Sequence, residues 1–510
     1  MASSRTEDVF KLIKAMSKAE KRAFRLYAGR IQGKEQLLYM QLFDLMDKQK
    51  SLDEKALKAR MPQLNDSRFS NLKRHLYTQI LISLRLLQKE KNANIKIREY
   101  IDFAFALYGK GLYMQSLGML EKAKKIATRH HSDFSLLTIV EVEKMIHSRH
   151  ITRSKSEPIN QLIAEASELS DTVSSRIKLS NLRILLHKFY VEQGHVKNEE
   201  DARSVRGHFQ ENLPEIEEEQ LGMMERVFLY QSYVWYHYIQ NDFLQCRNYA
   251  LKWVSLFKQS EELRKRDINL FLRGYHYLLT SSYNIRDVEN YQGYLDELEI
   301  LRKTNYPTFN RNTQIVSFLY VHTGRMNLHF LQGTFEEGVE RIKSTLRRIR
   351  KYRTQLDDHK IMVLYFKIAW MYIGKGNPEQ AVDYLRHIID MRNRALREDI
   401  QSYARLMFLM AHYDMENFLI LPGLITQFDR YFKKVKEKNK VQKAVLSLFR
   451  ELVNAPVLDR RDILRKYYEK LKEVHHDPYE KRSFLYLDIL LWLKARIQRK
   501  SLREVIQASI

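Results

Sequence analysis

A short turn motif recurs along this chain and restricts its fold more than any other feature. A small or polar residue, one spacer and usually an aromatic stand between two amphipathic runs. The copies are Gly111-Leu-Tyr113, Gly194-His-Val196, Asn241-Asp-Phe243, Gly333-Thr-Phe335, Gly376-Asn-Pro378 and Glu416-Asn-Phe418. Successive gaps are 83, 47, 92, 43 and 40 residues, so with 83 and 92 read as double steps the period is roughly 40 to 47. A period in that range fits a helix pair that buries its apolar face on the next copy. The expected fold is all-α: a right-handed α-α superhelix preceded by a small basic helical domain.

Composition points the same way. Gly and Pro number 16 and 8 among 510 residues, under half of their usual share of about 12%. So few breakers leave little room for hairpins or glycine-rich phosphate loops. Good helix formers (Leu, Lys, Arg, Glu, Gln and Ala) fill the long runs. A single cysteine, Cys246, rules out a disulfide framework within the chain. The opening residues Met1 to Asp8 hold no apolar signal core, and the apolar runs Phe418 to Ile425 and Phe484 to Leu493 are too short, or interrupted by Asp488, to span a membrane. The expectation is a cytoplasmic chain with no membrane insertion.

Net charge is +25, distributed unevenly. Residues 1–100 carry +11, 101–200 carry +2, 201–300 carry −5, 301–400 carry +8 and 401–510 carry +9. Basic ends around an acidic middle suit a polyanionic partner, and they equally suit solvated helix faces. Ser17-Lys-Ala-Glu20 reads as a capping box that opens a helix. Residues 52–60 and the long run from Ser67 have a helix-turn-helix outline, with Arg68, Asn71, Lys73, Arg74 and His75 crowding the first turns of the second helix. The connection is longer than usual and lacks glycine.

From about residue 96 the helix pairs begin. Ile101 to Tyr108 precedes Tyr113 to Ala127. Leu136 to His147 precedes Pro158 to Leu169, with a separate helix from Arg176 to Val191. After an acidic stretch from Glu211 to Glu219 come Met223 to Gln240 with Phe243 to Phe257. The later pairs begin near Leu270, Ile315, Met362, Tyr403 and Val441, and a capping helix closes the array. The implied domains are 1–95, 96–480 and a C-terminal cap over 481–510.

One unit carries a family resemblance. Tyr365, Ile368, Ala369, Tyr372, Gly376, Asn377, Pro378 and Ala381 stand at the offsets of a tetratricopeptide repeat, and Gly333, Phe335 and Gly338, like Gly111, Tyr113 and Ser116, match its second half. The chain thus resembles the long-repeat, tetratricopeptide-like class over roughly 96–480, although the family's period is 34 and its closing proline is missing. The resemblance implies a scaffold and carries no reaction. It also implies a groove lined by first helices. Trp235 and Trp370 lie six residues before their turn markers, and Tyr108, Tyr238, Phe330 and Tyr413 lie three before theirs. These six are candidate partner-binding residues. Packing between repeats would place aromatics at the same offsets.

No GxxxxGK[ST], HExxH, GxSxG or CxxC motif is present. His147-x-x-His150 puts two imidazoles on one helix face without the further ligands a metal site requires, and Cys246 stands where the repeat takes a small core residue. No catalytic, cofactor or metal site is expected. Two basic clusters remain: Arg341, Lys343, Arg347, Arg348, Arg350, Lys351 and Arg353, then Lys433, Lys434, Lys436, Lys438, Lys440 and Lys443. Two functions stand open: a non-catalytic scaffold gripping a protein or peptide, or a nucleic-acid-associated protein that uses its basic ends on DNA, RNA or the ribosome.

Overall fold

The structure, a computed structural model, describes residues 5–30, 34–90, 92–149, 156–215, 217–353, 355–391, 397–434 and 439–509. These residues are helical, with no strand among them, and none of their helices is long and apolar enough to cross a membrane. The chain divides into two compact units, 1–173 and 174–510. In this division the N-terminal helices share a unit with the first helix pair.

The first unit holds α1 (Arg5–Ala15), α2 (Lys18–Ala28), α3 (Lys34–Lys48), α4 (Glu54–Ala59), α5 (Asp66–Gln88), α6 (Ala93–Gly109), α7 (Tyr113–Arg129) and α8 (Asp133–Arg149). The capping box at Ser17 forms, its hydroxyl accepting from the Glu20 N–H while the Glu20 carboxylate accepts from the Ser17 N–H. Helix α5 packs on α1, α2 and α3, around Phe24, Phe43, Phe69 and Leu76. The pair α6–α7 closes on a small residue: Ser116 is fully buried and its hydroxyl donates 2.7 Å to the carbonyl of Ala104.

Helix α9 (Ser156–Gln193) is continuous. This corrects the two helices expected at 158–169 and 176–191. The second unit continues with α10 (Glu199–Asn212), α11 (Met223–Ile239), α12 (Phe243–Gln259), α13 (Glu261–Arg266), α14 (Ile268–Asn284), α15 (Val288–Asn305), α16 (Arg311–Gln332), α17 (Phe335–Glu340), α18 (Ile342–Tyr352), α19 (Asp358–Gly374) and α20 (Pro378–Ile389). It ends with α21 (Glu398–Asp414), α22 (Leu421–Lys434), α23 (Lys440–Asn454), α24 (Arg460–His476), α25 (Lys481–Tyr486), α26 (Ile489–Gln498) and α27 (Leu502–Gln507).

All six turn markers have left-handed backbone, with φ of 75°, 80°, 61°, 68°, 80° and 58° at Gly111, Gly194, Asn241, Gly333, Gly376 and Glu416. That conformation reverses the chain after the first helix of each pair and favours Gly or Asn. The double step between 241 and 333 resolves at Arg286, whose φ is 56°. The step between 111 and 194 does not resolve into equal pairs, because α9 alone spans 38 residues. In the second unit each first helix packs on its own second helix. Neighbouring first helices also touch, α14 on α16, α16 on α19, α19 on α21 and α21 on α23. Glycine sets the closest of these approaches: a Cβ at Gly374 would stand 2.1 Å from the Phe335 ring, and one at Gly338 would stand 2.4 Å from the Met371 sulfur.

The C-terminal stretch is not the single capping helix expected over 481–510. It is α25 to α27, and it returns along the turns that end the first helices. The Tyr479 hydroxyl donates to Glu199 at 2.7 Å, and Asp488 pairs with Arg286. Arg496 grips Asp414 with two bonds of 2.7 and 2.6 Å, and Trp492 donates to the same carboxylate at 3.1 Å. Arg503 reaches Glu336 at 3.1 Å, while Ile506 sits against Gly333. At its centre, Asp399 of α21 takes two hydrogen bonds of 2.8 Å from Arg397 and one of 2.7 Å from the Tyr486 hydroxyl. The stretch acts as a brace that joins residues up to 280 positions apart.

Candidate functional site

The groove residues fall into different settings. Phe330 and Trp370 are buried, 8% and 7% exposed, so neither can meet a partner without repacking. Tyr413 is half-buried and covered by the brace, its ring 5.6 Å from that of Trp492. Tyr108, in the first unit, is half-buried against Tyr113, and its hydroxyl accepts from Arg149 at 2.6 Å. Trp235 and Tyr238 touch each other, both half-buried, with ring centroids 6.0 Å apart. The six rings therefore do not form one exposed row, and large rings at repeated offsets serve the packing between helices, where their area contributes most. Trp235 has exposed His187 at 5.1 Å and buried Tyr277 at 5.5 Å.

The basic residues also separate. Arg68 and Arg74 are exposed on α5. Lys73 is not available to a polyanion: it is buried, with its amine 2.6 Å from the Thr6 hydroxyl and 3.0 Å from Glu54. It ties α5 to α1 and α4, as a charged group in a core must be tied. With α4 only six residues long and α5 resting on α1 to α3, the helix-turn-helix outline gains no dedicated supporting helix. Arg341, Lys343 and Arg347 are exposed at and beyond the α17–α18 junction, while Arg348 is half-buried. Lys433 and Lys434 are exposed at the end of α22, and Lys436 and Lys438 lie outside the described residues. Cys246 is fully buried, and burial pushes its thiol well up. No group of three or more potential metal ligands occurs among the described residues.

Sequence reading missed a second set of side chains on the first helices of the second unit. Arg183 of α9 is half-buried with its guanidinium 5.7 Å from the Phe228 ring, and its Nε has no hydrogen-bond partner. Burial, and then the like charge of Arg273, hold it below its ordinary range. Arg273 of α14 is exposed. One turn on, His276 stacks on Tyr320 of α16 at 4.4 Å and 7°. Burial, then Arg273 and Lys367, lower His276 to about 4. Lys367 of α19 is half-buried, lies 5.5 Å from the rings of Tyr283 and Phe330, and donates 2.6 Å to the side-chain amide oxygen of Asn327. Burial lowers its amine to about 8. Among the described residues no carboxylate pairs with Arg183, Arg273 or Lys367, whereas Arg176, Arg247, Arg286, Arg325, Arg397 and Arg496 each have one. A shared offset marks part of this set: Phe228, Arg273 and Tyr320 each stand thirteen residues before a left-handed turn residue.

No protein-family model matches the chain, and neither does any curated protein or solved structure.

Proposed function

We propose that residues 174–510 form a right-handed superhelix of tetratricopeptide-like helix pairs and act as a non-catalytic, cytoplasmic scaffold. Its first-helix face holds a protein partner. One observation carries the reading: Arg183, Arg273 and Lys367 lie on first helices of this unit, and among the described residues none of them has a carboxylate partner. Like charges held together in partly desolvated surroundings raise the free energy of the unbound chain, and a bound anionic group relieves that cost. The non-catalytic part rests on the sequence, which offers no nucleophile–base or metal-ligand pattern.

A second reading, nucleic-acid association, draws on a different surface. Arg341, Lys343 and Arg347 are exposed around α18, and Arg68 and Arg74 are exposed on α5. The two readings part in a capture experiment with the full chain, run with nuclease and at high salt. The scaffold reading expects Arg273→Glu to lose a partner protein that wild type and a Lys343→Glu/Arg347→Glu variant retain. Capture abolished by nuclease, or lost only in the Lys343→Glu/Arg347→Glu variant, would replace it with the nucleic-acid reading.

A further inference from the structure

We propose that the cleft between α16 and the α17–α18 junction binds a terminal phosphoryl group, as in a phosphate monoester or free phosphate. The inference does not depend on the scaffold reading. Two facing stripes build the cleft. His322, Arg325 and His329 recur at one-turn spacing on α16, and Arg341, Ser344 and Thr345 line the opposite wall. Gly338 lets the walls close, since a Cβ there would stand 3.3 Å from the His329 ring. Arg341 stands where α17 ends at Glu340 and α18 begins at Ile342. His322 and Thr345 form a buried floor, Arg325 and His329 are half-buried, and Arg341 and Ser344 make an exposed rim through which a ligand can enter.

The donors in this cleft suit an oxyanion. Among the described residues the Arg341 guanidinium makes no ion pair or hydrogen bond. Arg325 gives Nε and Nη2 to Glu299, which leaves Nη1. The His322 Nδ1 lies 2.7 Å from the Thr345 hydroxyl. That hydroxyl's other acceptor, the Arg341 carbonyl, is 3.4 Å away, so the hydroxyl proton goes to the ring. A neutral ring that accepts at Nδ1 carries its own proton on Nε2, which is then the donor left for a ligand. Charge agrees with this geometry. Arg302, Arg325, Arg341 and Arg348 act on His322, while the acids nearby are Glu299 and Glu337. Exposed Glu340 and Lys343 flank Arg341 and offset each other. Four arginines against two glutamates leave two positive charges in excess, which a dianion balances.

Size narrows the choice further. The cleft measures about 280 Å³ with its open mouth, and its interior has room for the centre of one water-sized atom, about 10 Å³. Organic ligands need clefts of roughly 300–1,000 Å³. A phosphoryl group places one oxygen inside and its other oxygens on the arginines at the rim. A terminal phosphoryl enters through a single ester link, whereas a nucleic-acid phosphate would bring two links and their sugars against the walls.

The test is calorimetry of the full chain at about pH 7.5, where phosphate monoesters are largely dianions, and at constant ionic strength. The probes are inorganic phosphate, a short Gly-Ser peptide carrying one phosphoserine, its unphosphorylated copy, and an oligouridylate without a terminal phosphate. The expected result is saturable one-site binding of phosphate and of the phosphopeptide, with none of the unphosphorylated copy. Tighter binding of the phosphopeptide assigns a modified serine as the source, and tighter binding of free phosphate assigns a small molecule. Arg341→Gln, which removes a charge-assisted contact, weakens binding about tenfold or more, and Ser344→Ala weakens it about threefold. Arg350→Gln, exposed on α18 and not lining the cleft, changes it less than twofold. Both cleft positions are exposed, and unchanged circular dichroism verifies that the variants fold. Wild-type chain that binds neither phosphate nor phosphopeptide overturns the inference, as does binding that Arg341→Gln and Ser344→Ala both leave intact. Oligouridylate binding that Arg341→Gln abolishes overturns it too, and makes the cleft part of a nucleic-acid surface.

Discussion

Asp399→Asn should unlock the C-terminal brace. Asp399 receives the Arg397 guanidinium and the Tyr486 hydroxyl and lies 3.9 Å from Arg482. Burial works to raise its carboxyl, but hydrogen bonds and charge from Arg397, with help from Tyr486 and Arg482, hold it well below the usual carboxylate range. The amide removes the negative charge and leaves two arginines facing each other. Breaking a fully buried pair costs about 3–5 kcal/mol. The Asp399 and Arg397 side chains remain 22% and 24% exposed, so screening reduces the expected loss to about 2–3 kcal/mol. Tyr486→Phe removes one charge-assisted hydrogen bond, worth about 1.5 kcal/mol. Because both act on one network, the double variant should cost less than their sum by about 1 kcal/mol. Urea denaturation of the full chain, followed by tryptophan fluorescence at pH 7, measures all three, since Trp492 belongs to the brace. An Asp399→Asn loss below about 0.5 kcal/mol would show that the network does not hold the brace. The sign with pH is fixed by the lowered carboxyl: its contribution is complete above the unfolded value near 4 and disappears as pH falls below it.

Other outcomes are expected. Gly374→Ala should cost about 3 kcal/mol, since its Cβ would stand 2.1 Å from the Phe335 ring, whereas Gly376→Ala, strained only by its φ of 80°, should cost about 1 kcal/mol. Paired urea curves decide this, and equal losses would contradict the interlocked packing of α17 and α19. His322, which burial and then Arg302 lower to about 3, favours its neutral form in the fold. Stability should therefore fall as pH drops below about 6.5, and His322→Gln should reduce the difference between pH 7 and pH 4.5 by about 2 kcal/mol. An unchanged difference would contradict this assignment. The Lys367 amine should titrate near 8. Lysine-selective NMR reads this value, and a value above 10 would remove the argument for its desolvation.

Local backbone rules made the helical content and turn positions legible. Gly and Asn at five of the six turn markers announce left-handed backbone, and all six, Glu416 included, adopt it. Arg286 was hidden because arginine is disfavoured there; its place is fixed by Asp488, 202 residues away. The continuity of α9 was hidden for a related reason. Asp171, Thr172, Val173, Ser174 and Ser175 are poor helix formers, yet Val173 is buried and Arg176 forms a buried pair with Glu225 at 2.7 Å. Packing overrides propensity at that point. The aromatic offsets were real, but a sequence does not say whether a ring faces a partner or the next repeat. Phe330 and Trp370 turned out to face the next repeat. Arg183, Arg273 and Lys367 could not be recognised from the sequence, because what they share is the lack of a carboxylate partner in space.

The scaffold account is tested most directly by a photo-activated cross-linker placed at exposed His187, 5.1 Å from Trp235, and in a second full-length variant at Leu419, which is 98% exposed on the turn after α21. Irradiated in cells and treated with nuclease, the His187 variant should give a discrete protein adduct that Arg273→Glu eliminates, and the Leu419 variant should not give it. Adducts that vanish with nuclease, or the same adduct from both positions, would contradict a partner held on the first-helix face.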